Sequence, residues 1–157
     1  MNHPDSRQRG SFLLEALIAI LIVALGVLGS VGLLARSVQD VDDAKNRGEA
    51  AYLANQLIGQ MWLSDRVKAN LDTEYSSALG SGVGYNDFIS LVNQRLPNAD
   101  KYTQDVVISA GPNPLNLASS VVIITIKWCP PGEWIAGSCR GTNQFHKYDV
   151  AAAIGAN

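Results

Sequence analysis

The chain has 157 residues, 17% of them charged and 47% hydrophobic, with a formal net charge of −2 at pH 7. That size and balance suit one modest domain plus one apolar segment, and they lack the clustered basic face that nucleic-acid binding normally needs. Two cysteines, Cys129 and Cys139, with one downstream histidine, His146, are too few for a common four-ligand metal site.

Taken from the N-terminus, a hydrophilic leader containing Arg7 and Arg9 gives way at Gly10 to Ser11-Phe12-Leu13-Leu14-Glu15, and then to the uncharged run Ala16 to Ala35. As a helix that run is roughly 30 Å long at about 1.5 Å per residue, the thickness of a bilayer's hydrocarbon core. The arginines precede it, while Asp40, Asp42 and Asp43 follow with Arg36 as the nearest basic group. The positive-inside rule therefore keeps the N-terminus cytoplasmic and sends the rest of the chain across. Without residues 1–10 the chain keeps 10 basic and 13 acidic groups, a net charge of −3. A secretory signal is the rival reading, but its apolar region is normally shorter and ends at a small-residue cleavage site. A twin-arginine signal is disfavoured because Gln8 separates the arginines.

Gly10 followed by S-F-L-L-E-A-L-I-A-I-L-I-V-A resembles the class III signal of type IV pilins and type II secretion pseudopilins. The resemblance implies that prepilin peptidase cuts between Gly10 and Ser11 on the cytoplasmic side, that Ser11 is then N-methylated, and that Glu15 becomes the fifth residue of the mature chain. It also implies that Glu15 pairs with the N-terminal amine of a neighbouring subunit during assembly. Family members usually begin the mature chain with phenylalanine, so Ser11 is a departure. Physical reasons for the pattern stand beside the family. Glycine lets an extended backbone approach a catalytic site closely. An acid in a helix's first turn gains roughly 0.3–1 kcal/mol from the macrodipole. That gain does not account for an acid set against twenty apolar residues, where an unpaired charge costs several kcal/mol, and pairing with an amine would relieve the cost.

Within the span, Gly26, Gly29 and Gly32 recur every three residues and make no GxxxG pair. They either loosen the helix or let helices pack closely; major pilins often carry a proline at the place of Gly32. Beyond the span, Val38, Val41, Ala44, Gly48, Ala51, Asn55, Ile58 and Trp62 fall at spacings of three and four, which predicts a buried stripe. With no proline between Phe12 and Leu96, one helix from about Phe12 to about Asn70 is expected, roughly 88 Å long. The motif A-x-x-L-A-x-x-L-x-x-x-M ending at Met61, and L-G-V-L-G-S-V-G-L-L-A-R-S before it, look like the minor pilins called type IV pilus modification protein PilV. That likeness covers about residues 10–70.

Residues Asp72 to Asn86 read as a Ser/Gly-rich loop, with Asn86 or Asp87 capping a short helix Phe88 to Leu96 that buries Phe88, Leu91, Val92 and Leu96. Strands are expected at Asp105 to Ala110, closed by the turn cluster G-P-N-P, at Ser119 to Trp128, and more weakly at Phe145 to Ala152. In the second, Val122, Ile124, Ile126 and Trp128 face the helix; in the third, Tyr148, Val150 and Ala152 share a face. The expected fold class is α+β, a long helix packed by its second half on a small antiparallel sheet, as in the type IV pilin fold.

Cys129 and Cys139 bracket a loop between two strands, and in the periplasm such a pair is expected to oxidise. Closing an eleven-residue ring adds on the order of 3 kcal/mol. Trp134 near the tip either meets a partner or folds back onto the sheet. No Ser/His/Asp grouping or phosphate-cradling loop appears, so no catalytic residue, cofactor or metal is expected, and His146 reads as a surface or edge residue.

These features imply a cytoplasmic leader (1–10), a membrane and assembly half of the helix (11–36) and a periplasmic domain (37–157). The expected protein is a minor type IV pilin that supports pilus biogenesis. Its expected partners are the major pilin, other minor pilins, prepilin peptidase, the inner-membrane assembly platform and the membrane. An I-type minor pseudopilin of a type II secretion pseudopilus, and a bitopic membrane protein with a periplasmic binding domain, are the alternatives.

Overall fold

The computed structural model describes residues 8–111, 119–140 and 144–155, with side chains from Phe12 onward. Most of the leader and most of the G-P-N-P turn lie outside the described residues. The protein is α+β. Helix α1 (Gln8–Leu63) is followed by α2 (Lys68–Tyr75), α3 (Val83–Arg95), β1 (Asp105–Ala110), β2 (Ser120–Trp128), a short hairpin of β3 (Trp134–Ile135) and β4 (Ser138–Cys139), and β5 (His146–Ile154). The chain divides into two units, residues 1–41 and residues 42–157.

In the first unit, residues 12–41 are helical and exposed throughout. Ser30 satisfies its hydroxyl locally, donating to the Gly26 carbonyl at 2.9 Å. No side chain approaches the Cβ positions of Gly26, Gly29 or Gly32.

The second unit holds one hydrophobic core. β2 is central in a three-stranded antiparallel sheet of order β1-β2-β5. Val122, Ile124, Ile126 and Trp128 are fully buried, as their alternation in sequence predicts. Tyr148, Val150 and Ile154 join the same core from β5. The strand limits at β1 agree with expectation; β2 starts one residue later, and β5 runs from His146 to Ile154 rather than from Phe145 to Ala152.

Three expectations about the helices need correction. The expected stripe through Ala51, Asn55, Ile58 and Trp62 is not the buried one. Ala50, Leu53, Ala54, Leu57 and Met61 are buried instead, while Val38, Val41 and Trp62 are exposed. The two stripes differ by one residue, or about 100° around the helix. The core takes the face carrying Leu53, Leu57 and Met61, the greater apolar volume, with Ala50 and Ala54 buried on the same face. Ala51 and Ile58 form the half-buried shoulder.

The long helix also stops at Leu63, not near Asn70. Ser64 and Asp65 compete with the backbone there. The Ser64 hydroxyl donates back to the Met61 carbonyl at 3.0 Å. Asp65 accepts from the Val67 N–H at 3.1 Å and from the Asn70 side-chain amide at 2.6 Å, so its carboxylate organises a turn and the start of α2.

Finally, the expected loop from Asp72 to Asn86 contains the end of α2 and the beginning of α3, and α3 is capped by Gly82 rather than Asn86 or Asp87. Glu74 accepts from the Gly84 N–H at 2.8 Å, which places a carboxylate at a helix N-terminus. The close approach requires glycine: a Cβ on Gly82 would meet the Glu74 carbonyl oxygen at 2.0 Å, and one on Gly84 would meet the Tyr75 ring at 2.2 Å. On α3, Phe88, Val92 and Leu96 are buried as expected, and Leu91 is partly so.

Candidate functional site: the apolar helix and the disulfide loop

The apolar segment is one helix long and apolar enough to cross a membrane, near the N-terminus, with none of its apolar window buried. Phe12, Leu13, Leu14 and Leu17 surround Glu15 in sequence and are all exposed, as Glu15 is. Glu15 has no ion pair or hydrogen-bond partner among the described residues. It is thus a bare carboxylate on an apolar surface, able to accept from a cation brought by another molecule.

The backbone of Gly10 and Ser11 is helical. Because α1 begins at Gln8, Glu15 stands about two turns inside the helix. The first-turn macrodipole gain expected for this acid therefore does not apply to the full-length chain. It would apply only after a cut that made Ser11 the first residue. The same continuity means that a peptidase requiring extended backbone at Gly10 would have to unwind the first turn.

The second cluster is built around the disulfide. Cys129 and Cys139 are bonded, with Cα atoms 5.7 Å apart, as the sequence leads one to expect of an oxidising compartment. Cys129 ends the buried β2 run and is held by the turn after α3: its N–H donates to the Pro97 carbonyl at 3.1 Å, and Asn98 donates to its carbonyl at 2.9 Å. Asn98 does this from a left-handed backbone conformation (φ 52°), which asparagine tolerates. The β3–β4 hairpin turns through Ala136 and Gly137, both at positive φ, the conformation of a type I′ turn.

Trp134 folds back. Its ring meets Tyr102 edge-on at 6.3 Å, and Tyr102 in turn meets Phe145 at 5.6 Å. Lys127 lies over Phe145 at 5.6 Å. Burial pushes the Tyr102 phenol above its ordinary range. His146, on an edge strand as expected, hydrogen-bonds Glu133 at 2.8 Å and ties the loop to β5. The aromatic groups thus brace one another. No cluster of three or more metal-ligating side chains occurs among the described residues.

Two residues that sequence reasoning passed over organise this end of the domain. Gln104, 1% exposed, donates to the carbonyls of Ala99, Tyr102 and Lys127 and accepts from the Lys127 N–H at 2.6 Å. A lone glutamine ahead of a strand carries no periodic signal. Ser77 receives the edge of β1: it donates its N–H and hydroxyl to the Val106 carbonyl and accepts from the Val106 N–H. Tyr85 also reaches this region, donating to the Gln104 carbonyl at 2.8 Å, and burial followed by the Asp105 charge pushes its pKa up.

No family model, curated protein or solved structure matches the chain.

Proposed function

We propose that the protein is a minor type IV pilin, made as an inner-membrane precursor, cut between Gly10 and Ser11, N-methylated on Ser11, and assembled through its N-terminal helix with the major pilin and other minor pilins. The observation that carries the reading is Glu15, without a partner among the described residues, on the exposed apolar stretch of a helix long enough to span a bilayer. In lipid such a carboxylate costs several kcal/mol unless it finds a partner. A cut after Gly10 would create a new amine one helical turn away, on this chain and on every neighbouring copy. A neighbour's amine is thus a source of the missing cation. The α+β domain with an oxidised cysteine loop agrees with a chain whose C-terminal part folds outside the cytoplasm. The chain is then the substrate of a peptidase and a methylase.

Mass spectrometry of the protein extracted from membranes of peptidase-positive cells tests this. A chain beginning with N-methyl-Ser11 is expected, and one that retains Met1 sinks the proposal. Glu15→Ala should leave the chain processed and anchored but reduce its recovery in sheared filaments by tenfold or more. Undiminished incorporation of that variant would remove the pairing role.

A further inference from the structure

The two edges of the three-stranded sheet differ. The Gly111 N–H donates to the Ser119 carbonyl at 3.0 Å, continuing the β1–β2 ladder beyond Ala110↔Ser120. In an antiparallel ladder hydrogen-bonded pairs alternate with non-bonded ones. The odd-numbered residues of β2 therefore bond toward β1 and the even-numbered ones toward β5. Even-numbered β2 residues stand opposite His146, Tyr148, Val150, Ala152 and Ile154. Lys147, Asp149, Ala151 and Ala153 consequently aim their N–H and C=O groups away from the sheet. Among the described residues none of these groups has a partner. At the next outward position, the Gly155 carbonyl accepts from Arg66 at 2.9 Å. On the opposite edge, Ser77 occupies both backbone groups of Val106.

Exposed edges are normally guarded by proline, bulges or charge. β5 runs without a bulge from His146 to Ile154 and contains no proline. Its charges, Lys147 and Asp149, pair with each other at 2.7 Å, and the remainder, Val150 to Ile154, is uncharged. We infer that β5 is a docking edge for an added strand contributed by a different subunit rooted in the same membrane.

The geometry decides against a second copy. Joining two β5 edges antiparallel places a twofold axis normal to the sheets. Residues 50–61, which share the core with β2, would then run in opposite directions, and the chain would enter the two domains from opposite sides. Chains that emerge from one membrane need to enter both from the same side. Head-to-tail addition of copies would instead present β1, whose edge Ser77 already fills at Val106.

The edge also specifies the chemistry of its occupant. Ala151 and Ala153 are small, and beside them Ile123 and Val107 remain 44% and 48% exposed on the outer face, in register with Ala151. An added strand with β-branched or aromatic residues at alternate positions would lean over the two alanines and cover that surface. Charge is not required, since the Lys147–Asp149 pair is self-satisfied. The occupant is an extended, proline-free, uncharged segment, received by strand addition. That its source is another subunit of the same filament rests on the minor-pilin reading.

The test uses the full chain in the membranes of cells that express its partner subunits, with a photo-crosslinking phenylalanine in place of Ala151. The adduct is digested and sequenced, and the N-terminus of the same sample is read. The expected result is a crosslink to an apolar extended segment of a different membrane-rooted subunit. Ala153→Pro, which deletes an outward N–H and leaves the β2 ladder whole, should reduce it at least tenfold. Ala153→Lys, a milder edge block, should reduce it in the same direction, and an intact Cys129–Cys139 bond in both variants reports folding. A crosslink confined to second copies of this chain, or no adduct from a chain that begins with N-methyl-Ser11, overturns the docking edge and leaves the pilin reading in place. An adduct to such a segment from a chain that keeps Met1 upholds the edge and removes the pilin reading instead.

Discussion

Residues 12–41 and residues 42–63 are stretches of one helix with opposite relations to their surroundings. The first carries Leu, Ile and Val around its whole circumference, and the chain itself buries none of them. The second is far more polar, yet five of its residues, Ala50, Leu53, Ala54, Leu57 and Met61, are almost wholly withdrawn from solvent. Apolar content therefore does not predict burial within the chain. A stripe is buried when the sequence also supplies a surface to receive it, and here β2 supplies one only to the second stretch. An apolar surface on all sides with no receiver fits a helix whose solvent is lipid or other helices.

The sharpest way to break this contrast is a matched pair of truncations. Leu57→Ala, in the core, should lower the unfolding free energy of the domain by about 2–5 kcal/mol. Leu21→Ala, on the exposed stretch, should leave it unchanged, because Leu21 touches nothing in the core. Denaturant unfolding of the full chain in detergent, followed by tryptophan fluorescence, reads both. Equal effects would show that the stretches are not independent.

Glycine gives a smaller contrast of opposite sign. Gly84→Ala drives a methyl group against the Tyr75 ring and should cost about 1–3 kcal/mol of domain stability. Gly26→Ala meets empty space, and should strengthen the first stretch of helix by up to about 1 kcal/mol. Amide exchange at residues 22–30 in micelles would register that gain as slower exchange. Faster exchange would mean that the glycine serves a fit with something beyond the helix.

The smallest effect lies at the open edge of the sheet. Asp149 accepts hydrogen bonds from Lys147 and, at 2.8 Å, from Thr125, and these two, the lysine first, hold its carboxyl below the ordinary value of 3.8. A folded-state pKa below the unfolded one stabilises above the unfolded value, and the gain is lost as pH falls through the folded value. Since the pair is exposed and screened, Asp149→Asn should cost about 0.2–1 kcal/mol at pH 7. The cost should vanish as pH falls through the lowered folded value. A difference from the parent chain that persists at low pH would assign the effect to packing rather than charge.

Much of this was legible in the chain. Period-two alternation placed Val122, Ile124, Ile126 and Trp128 in the core, because a strand offers only two faces and the apolar one must be inward. The cysteine pairing and the helical character of residues 88–95 were also accessible. The face of α1 was not. Two apolar stripes one residue apart satisfy the same spacing rule, and only the shape of the sheet selected the one bearing Leu53, Leu57 and Met61. The stop at Leu63 was obscured because Ser64 and Asp65 are weak breakers that act through particular hydrogen bonds.

The sequence by itself determined the long helix, the helix over residues 88–95, the three long strands, the uncharged run Ala16 to Ala35, the lone acid at its head, and the two cysteines. These are local properties of side-chain chemistry and spacing. The tertiary structure decided which stripe of α1 is buried, how Gln104 and Ser77 close one side of the sheet, and that the outward backbone groups of four β5 residues have no partner among the described residues. Those outcomes depend on the order and register of strands distant in the chain. A hydrogen bond between residues 77 and 106, or its absence beyond β5, leaves no trace in the spacing of either segment.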